Sequence, residues 1–121
     1  MGVSPITSHV LDAARGQPAQ GVPITISYAS TSQAAAAGQQ TVIARSVTNN
    51  DGRCPSLLEP THTLKPGVYA VRFDTKTYYA LHGEKSFYPH VDVTFEIDQP
   101  APHYHIPLNL APFSYTTYRG S

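Results

Sequence analysis

The sequence predicts an all-β or β-rich sandwich built as a single domain over residues 1–121. Three observations carry that expectation. Eleven prolines and eight glycines in 121 residues leave little room for long helices and call for many turns. Eight tyrosines and four phenylalanines with no tryptophan form an aromatic set that favours strands. Val91-Asp92-Val93-Thr94-Phe95-Glu96-Ile97 alternates apolar and polar residues throughout, the pattern of a half-buried strand. A chain of this length has one packed core and little room for a second.

The elements can be justified in order. Residues 22–28 alternate in the same way, and Pro23 marks a strand start or an edge. Residues 30–40, with Ala34 to Ala37 inside, are small and uncharged. They suit a loop or a helical turn, and disorder is the expected state. Residues 41–47 read as a weaker strand, closed by Asn49-Asn50-Asp51-Gly52, whose residues tolerate positive φ. Lys65-Pro66-Gly67 is a second turn and leads into a strand over 68–73. Asp74 is placed to cap one short helix over 75–81, with Gly83 to end it. Two further strands, 103–110 and 113–118, flank Ala111-Pro112.

Composition excludes several function classes. Charged residues are only 13 %, and eight Lys and Arg balance eight Asp and Glu. That balance argues against nucleic acid or an anionic membrane as the main partner. No apolar run reaches the roughly 18 residues of a membrane span, and Met1-Gly2-Val3-Ser4-Pro5 lacks a secretion-signal pattern. The single cysteine, Cys54, fits a reducing compartment and excludes Cys-rich zinc modules. A cytoplasmic protein is expected. The ending Arg119-Gly120-Ser121 differs from a Ser-Lys-Leu peroxisomal address. The chain has no Gly-rich phosphate loop, Gly-x-Ser-x-Gly elbow or His-Glu-x-x-His helix.

Side-chain parity singles out one sheet face. In the strand over 103–110, Tyr104, Ile106, Leu108 and Leu110 share the apolar face and should meet the core. His103, His105, Pro107 and Asn109 share the other, and Ser114, Thr116 and Tyr118 extend it in the next strand. Such a face is neither greasy nor charged and suits a wet cavity or a subunit interface. His9 leaves the core face too, because Val10 points the opposite way. Arg53 follows a tight turn and taken alone reads as a solvated arginine. His103 and His105 stand roughly 6.6 Å apart on one strand face and could approach a metal together, but no carboxylate or third histidine joins them in sequence. Cys54 beside Arg53 is either an activated thiol or a buried idle one. His62, His82 and His90 fall near loops and read as surface groups or as neighbours that support a site without touching its ligand.

From spacing alone the residues do not reach a substrate. Six segments, however, resemble one family from end to end: Ser8-His9-Val10-Leu11-Asp12, Gly16-Gln17-Pro18-Ala19, Thr48-Asn49-Asn50-Asp51-Gly52-Arg53, Phe87-Tyr88-Pro89-His90-Val91, His103-Tyr104-His105-Ile106-Pro107-Leu108, and Ser114-Tyr115-Thr116-Thr117-Tyr118-Arg119-Gly120-Ser121. They resemble the 5-hydroxyisourate hydrolases, the purine-catabolic branch of the transthyretin-like proteins. The final Tyr118-Arg119-Gly120-Ser121 is the most specific match and separates the hydrolases from hormone carriers of similar fold.

The resemblance implies a transthyretin-like β-sandwich of two four-stranded sheets with one short helix. It implies a homotetramer whose active sites lie at the dimer–dimer interface. The activity it implies is hydrolysis of 5-hydroxyisourate to 2-oxo-4-hydroxy-4-carboxy-5-ureidoimidazoline in urate degradation. Catalytic positions carry over to His9, Arg53 and His105. Substrate contacts carry over to Tyr118, Arg119, Gly120 and Ser121, and more weakly to Ser114. Asn109 and Ala111 stand where the family usually has leucine and serine. No metal or organic cofactor is implied. The alternative is a non-enzymatic transthyretin-like carrier of a small aromatic ligand.

Overall fold

In the computed structural model, which describes residues 3–120, the described chain runs through eight strands and two short helices. In order these are β1 (Ile6–Asp12), β2 (Gln17–Pro18), β3 (Pro23–Ala29), α1 (Ser32–Ala36), β4 (Thr41–Val47), β5 (Gly67–Phe73), α2 (Thr75–Leu81), β6 (Val91–Ile97), β7 (Tyr104–Ala111) and β8 (Ser114–Thr117). They form two four-stranded sheets, β2-β1-β7-β8 and β4-β3-β5-β6.

Alternating burial along β1 and β3, and less regularly along β5 and β7, explains the sandwich. Ile6 and Val10 of β1, with Ile106, Leu108 and Leu110 of β7, meet Ile24 and Ile26 of β3 and Val71 and Phe73 of β5 in one buried cluster. Burying each such side chain stabilises the fold by about 1.5–3 kcal/mol. Truncating the fully buried Phe73 to Ala would cost about 3–5 kcal/mol. Pro23 opens β3, which lies between β4 and β5, so the proline marks a strand start rather than an edge.

Helix α2 forms as its caps dictate. The Asp74 carboxylate accepts from the Thr77 N–H at 3.2 Å and the Thr77 hydroxyl at 2.7 Å, and Gly83 follows the helix at φ +65°. Its buried Tyr78 donates its hydroxyl to Asp12 Oδ2 at 2.6 Å. Asp12, fully buried at the end of β1, also accepts from the Arg15 N–H and guanidinium, each at 2.9 Å. Burial alone would raise the pKa of this carboxyl, but the bonds from Tyr78 and Arg15 hold it below its usual range.

The expectation of disorder over residues 30–40 is corrected. Thr31 Oγ1 accepts from the Ala34 N–H at 3.0 Å and caps α1, so a cap followed by good helix formers yields a short helix. The domain therefore holds a second helical turn besides the single helix expected. Among the described residues no helix is long and apolar enough to cross a membrane.

Candidate functional site

The site begins with the pairing of β1 and β7, which run parallel, unlike every other named pair. Register sets Thr7 beside His105, His9 beside Pro107 and Leu11 beside Asn109. Neighbours across a ladder share a face. Thr7, His9, His105 and Asn109 are therefore half-buried on the outer face, while Ser8, Val10 and Asp12 point into the core. The face predicted by parity exists, and β8 continues it through Thr116 opposite Asn109 and Ser114 opposite Ala111.

A turn then brings Arg53 to this face. The Asn49 carbonyl accepts from the Gly52 N–H, and the Asn49 side-chain oxygen accepts from the N–H groups of Asp51 and Arg53. Gly52 has φ +75°, and its carbonyl accepts from the Val10 N–H at 2.8 Å. A Cβ at this position would collide with the Val10 carbonyl oxygen, so glycine is needed for both conformation and close approach. The clamp pairs the backbones of His9 and Arg53 in a β-bridge.

Around these elements lies an open cleft of about 510 Å³, lined by Val3, Thr7, Ser8, Arg53, Cys54, Pro55, His103 and His105. None of the eight is acidic. Thr7 Oγ1 lies 2.8 Å from His105 Nδ1 and 2.8 Å from His103 Nε2. The two imidazoles stack with ring centroids 6.4 Å apart. Burial, and after it the charges of Arg53, His103 and His9, holds the His105 pKa below the ordinary histidine value. His105 is therefore mostly neutral at pH 7, the form that accepts a proton.

The C-terminal segment reaches the same imidazole from behind. The Gly120 N–H donates to the His105 carbonyl at 2.9 Å. A Cβ at position 120 would lie 2.5 Å from His105 Cδ2 and 3.1 Å from Cβ and Cγ, so only glycine fits against the ring. Arg119 turns away, its guanidinium 5.3 Å from the centroid of Tyr104, a cation–π contact that anchors the tail. Tyr118, 57 % exposed, lines with Arg119 a separate cavity of about 240 Å³ beside Phe95 and Tyr104.

The sequence-predicted residues therefore divide. Arg53 and His105 line one cleft, Gly120 packs against the His105 ring, and His9 lies beside them through its bridge to Arg53. Tyr118 and Arg119 border a different cavity of the chain. Ser114 shares the outer face but pairs with Ala111, six residues along β7 from His105, roughly 20 Å at about 3.3 Å per residue. Ser121 lies outside the described residues. Cys54 is 2 % exposed, and burial pushes its thiol pKa up against an opposing bond from Ser46. It is the buried idle thiol of the two alternatives. Among the described residues no three His, Cys, Asp or Glu side chains cluster as metal ligands.

Sequence reasoning missed Thr7. Its signal was present, because Thr7 precedes His9 by two residues and shares its face. What the sequence does not display is the register that sets it against His105.

The whole chain resembles known proteins. Residues 6–120 match the model of the HIUase/Transthyretin family. The 5-hydroxyisourate hydrolase of Mus musculus is 48 % identical over 118 residues, which span 98 % of this chain and 96 % of that protein. That of Pseudomonas aeruginosa is 39 % identical, over 96 % of this chain and 90 % of its own. Among solved structures, Klebsiella pneumoniae 5-hydroxyisourate hydrolase superposes with a TM-score of 0.80 at 30 % identity, covering 98 % of this chain and 100 % of that one. Sea bream transthyretin in complex with thyroxine gives a TM-score of 0.84 at 35 % identity, covering 97 % and 95 %.

Proposed function

This chain belongs to the HIUase/Transthyretin family, and from that premise we propose that it hydrolyses 5-hydroxyisourate, with His9, Arg53 and His105 as its catalytic groups. The observation that carries the reading is the convergence of Arg53, His103 and His105 on one cleft, with Gly120 against the His105 ring. The fold alone does not separate a hydrolase from a carrier, since a thyroxine-bound transthyretin superposes equally well. The cationic and imidazole lining favours chemistry over the burial of an apolar hormone.

In the proposed reaction, His105 Nε2 takes a proton from water as the water oxygen attacks the carbonyl carbon of a cyclic amide-type C–N bond. A neutral imidazole with a lowered pKa is fitted to this task at neutral pH. The Arg53 guanidinium holds the polar ring and offsets the negative charge that develops on the carbonyl oxygen. The C–N bond then breaks, and the imidazolium returns its proton to the leaving nitrogen. The ring opens to a carboxylic acid, which releases the second water proton to solvent and leaves the carboxylate of 2-oxo-4-hydroxy-4-carboxy-5-ureidoimidazoline. His9, close enough for its charge to bear on His105, orients the pair.

We further propose a homotetramer in which the outer faces of the β2-β1-β7-β8 sheets meet. Half-buried polar groups on that face and the 76 % exposed Phe113 at the β7–β8 turn support it. Ser114 is too far from His105 within one protomer, so its contact with substrate would come from another copy, as would that of Tyr118. A cytoplasmic setting fits the single unpaired thiol.

The test is direct. 5-Hydroxyisourate is generated from urate with urate oxidase, and its ultraviolet decay is followed with and without the protein. Decay at the spontaneous rate would refute the enzyme. His105→Asn should cut turnover at least tenfold, within the roughly 10²–10⁴-fold worth of a general base. Titration with thyroxine tests the carrier, and light scattering tests the tetramer.

A further inference from the structure

Thr7 touches both histidines of the cleft, and the direction of its hydroxyl's two bonds is tied to the tautomer of each ring. Its oxygen lies 2.8 Å from His105 Nδ1 and 2.8 Å from His103 Nε2. A hydroxyl has one proton to donate and two lone pairs to accept with. With both rings neutral, Thr7 could accept from both, which leaves its own proton without a partner; two arrangements satisfy both contacts and use that proton as well. In the first, His105 Nδ1–H donates to Thr7, and Thr7 donates to His103 Nε2. His105 then carries a lone pair on Nε2. In the second, both bonds reverse, and His105 carries its proton on Nε2.

The surroundings of the His105 ring select the first. Gly120 backs its Cδ2–Cγ side so closely that a Cβ would sit 2.5 Å away. Thr7 occupies Nδ1. That leaves the edge with Cε1 and Nε2, on a residue that lines one cleft with Arg53. A lone pair aimed toward a guanidinium is favoured over an N–H dipole aimed toward it. The first arrangement also survives protonation of His105 without rearrangement, because Nδ1–H already points at an acceptor. In the second, a new Nδ1–H would face the proton of the Thr7 hydroxyl.

We propose that Thr7 is a positioning residue: by accepting from His105 Nδ1 and donating to His103 Nε2, it fixes His105 in the tautomer whose Nε2 can take a proton from water. The inference rests on His105 being the base of the proposed hydrolysis. The proton account closes without transfer through Thr7. Water gives its proton to Nε2, the imidazolium keeps Nδ1–H on Thr7, and the Nε2 proton leaves with the amide nitrogen. The role of His103, exposed and outside the reaction, is to receive the Thr7 proton and so set the direction of the bond.

Two variants and one spectrum test this. Thr7→Val keeps the branched shape and removes the hydroxyl, whereas Thr7→Ser keeps the hydroxyl. In Thr7→Val, kcat should fall about tenfold, inside the range a general base supplies, with KM changed less than about twofold. The acidic limb of its pH profile should move to lower pH, because the imidazolium loses its acceptor. Thr7→Ser should restore most of kcat and return the limb. An unchanged kcat and limb in Thr7→Val would overturn the proposal. Nitrogen-15 shifts of the His105 ring near neutral pH give a readout independent of turnover. A protonated Nδ1 with a bare Nε2 is expected in the native protein, and a protonated Nε2 would overturn the assignment. A native protein with that tautomer and no hydrolysis would sink the reading of function and leave Thr7 as the group that sets it.

Discussion

Replacing Gly120 by Ala should separate activity from stability. The added Cβ would stand 2.5 Å from His105 Cδ2 and 3.1 Å from Cγ. Comfortable carbon–carbon contact begins at about 3.5 Å, so the ring and the tail must part by about 1 Å. If His105 is the base proposed above, a displacement of that size costs about 10²-fold in rate, or about 2.7 kcal/mol of barrier. The fold risks much less. One backbone hydrogen bond, from the Gly120 N–H to the His105 carbonyl, is exposed to loss, worth about 0.5–1.5 kcal/mol. That is a fall in Tm of only a few degrees for a domain of this size. The assay is the decay of enzymatically generated 5-hydroxyisourate, run beside a thermal melt. A Gly120→Ala protein with native kcat and KM would refute the claim that the tail positions the imidazole.

Other outcomes follow from the same geometry. Arg53→Gln removes a cation that helps hold the His105 pKa down. His105 would then keep its proton to higher pH, so the acidic limb of kcat/KM should shift upward, with about 10²–10³-fold lost in kcat through the missing oxyanion contact. A limb that stays in place would show that Arg53 does not act on His105. Deleting residues 118–121 should abolish turnover yet leave circular dichroism and oligomer size intact, because β8 ends at Thr117. Loss of assembly would make the tail structural. Tyr79 has a buried hydroxyl with no partner among the described residues, and burial pushes its pKa up to about 12. Tyr79→Phe should therefore keep or raise stability, by up to about 1 kcal/mol. A drop of that size in chemical denaturation would reveal a missed partner.

Much of this architecture was legible because its signals are local. Alternation in Val91–Ile97 and the Asp74 cap need no distant partner, and both elements form as expected. Residues 30–40 misled because small uncharged residues carry no periodicity, and one threonine cap decided the helix. Parity along β7 correctly turned His105 and Asn109 from the core. Parity says nothing about which strand lies alongside, so the partnership of Thr7 with both imidazoles stayed hidden. The location of Arg53 depended on Gly52 docking against Val10, a contact across 42 residues that spacing cannot disclose. The steric need for glycine at 120 likewise appears only once the tail lies on the ring.

The parallel pairing of the first and seventh strands also has a temporal consequence. Thr7 and His105 are 98 residues apart, so the ladder between them closes a loop spanning most of the polypeptide. Contacts of such long sequence separation are slow to nucleate. A nascent chain on the ribosome would pair β1 with β2 early but leave its other edge open until β7 was made, and products cut short of β7 would lack the His105 side of the cleft. Competence for the cleft arrives with β7, so any check on this distant pairing is at the same time a check on the site.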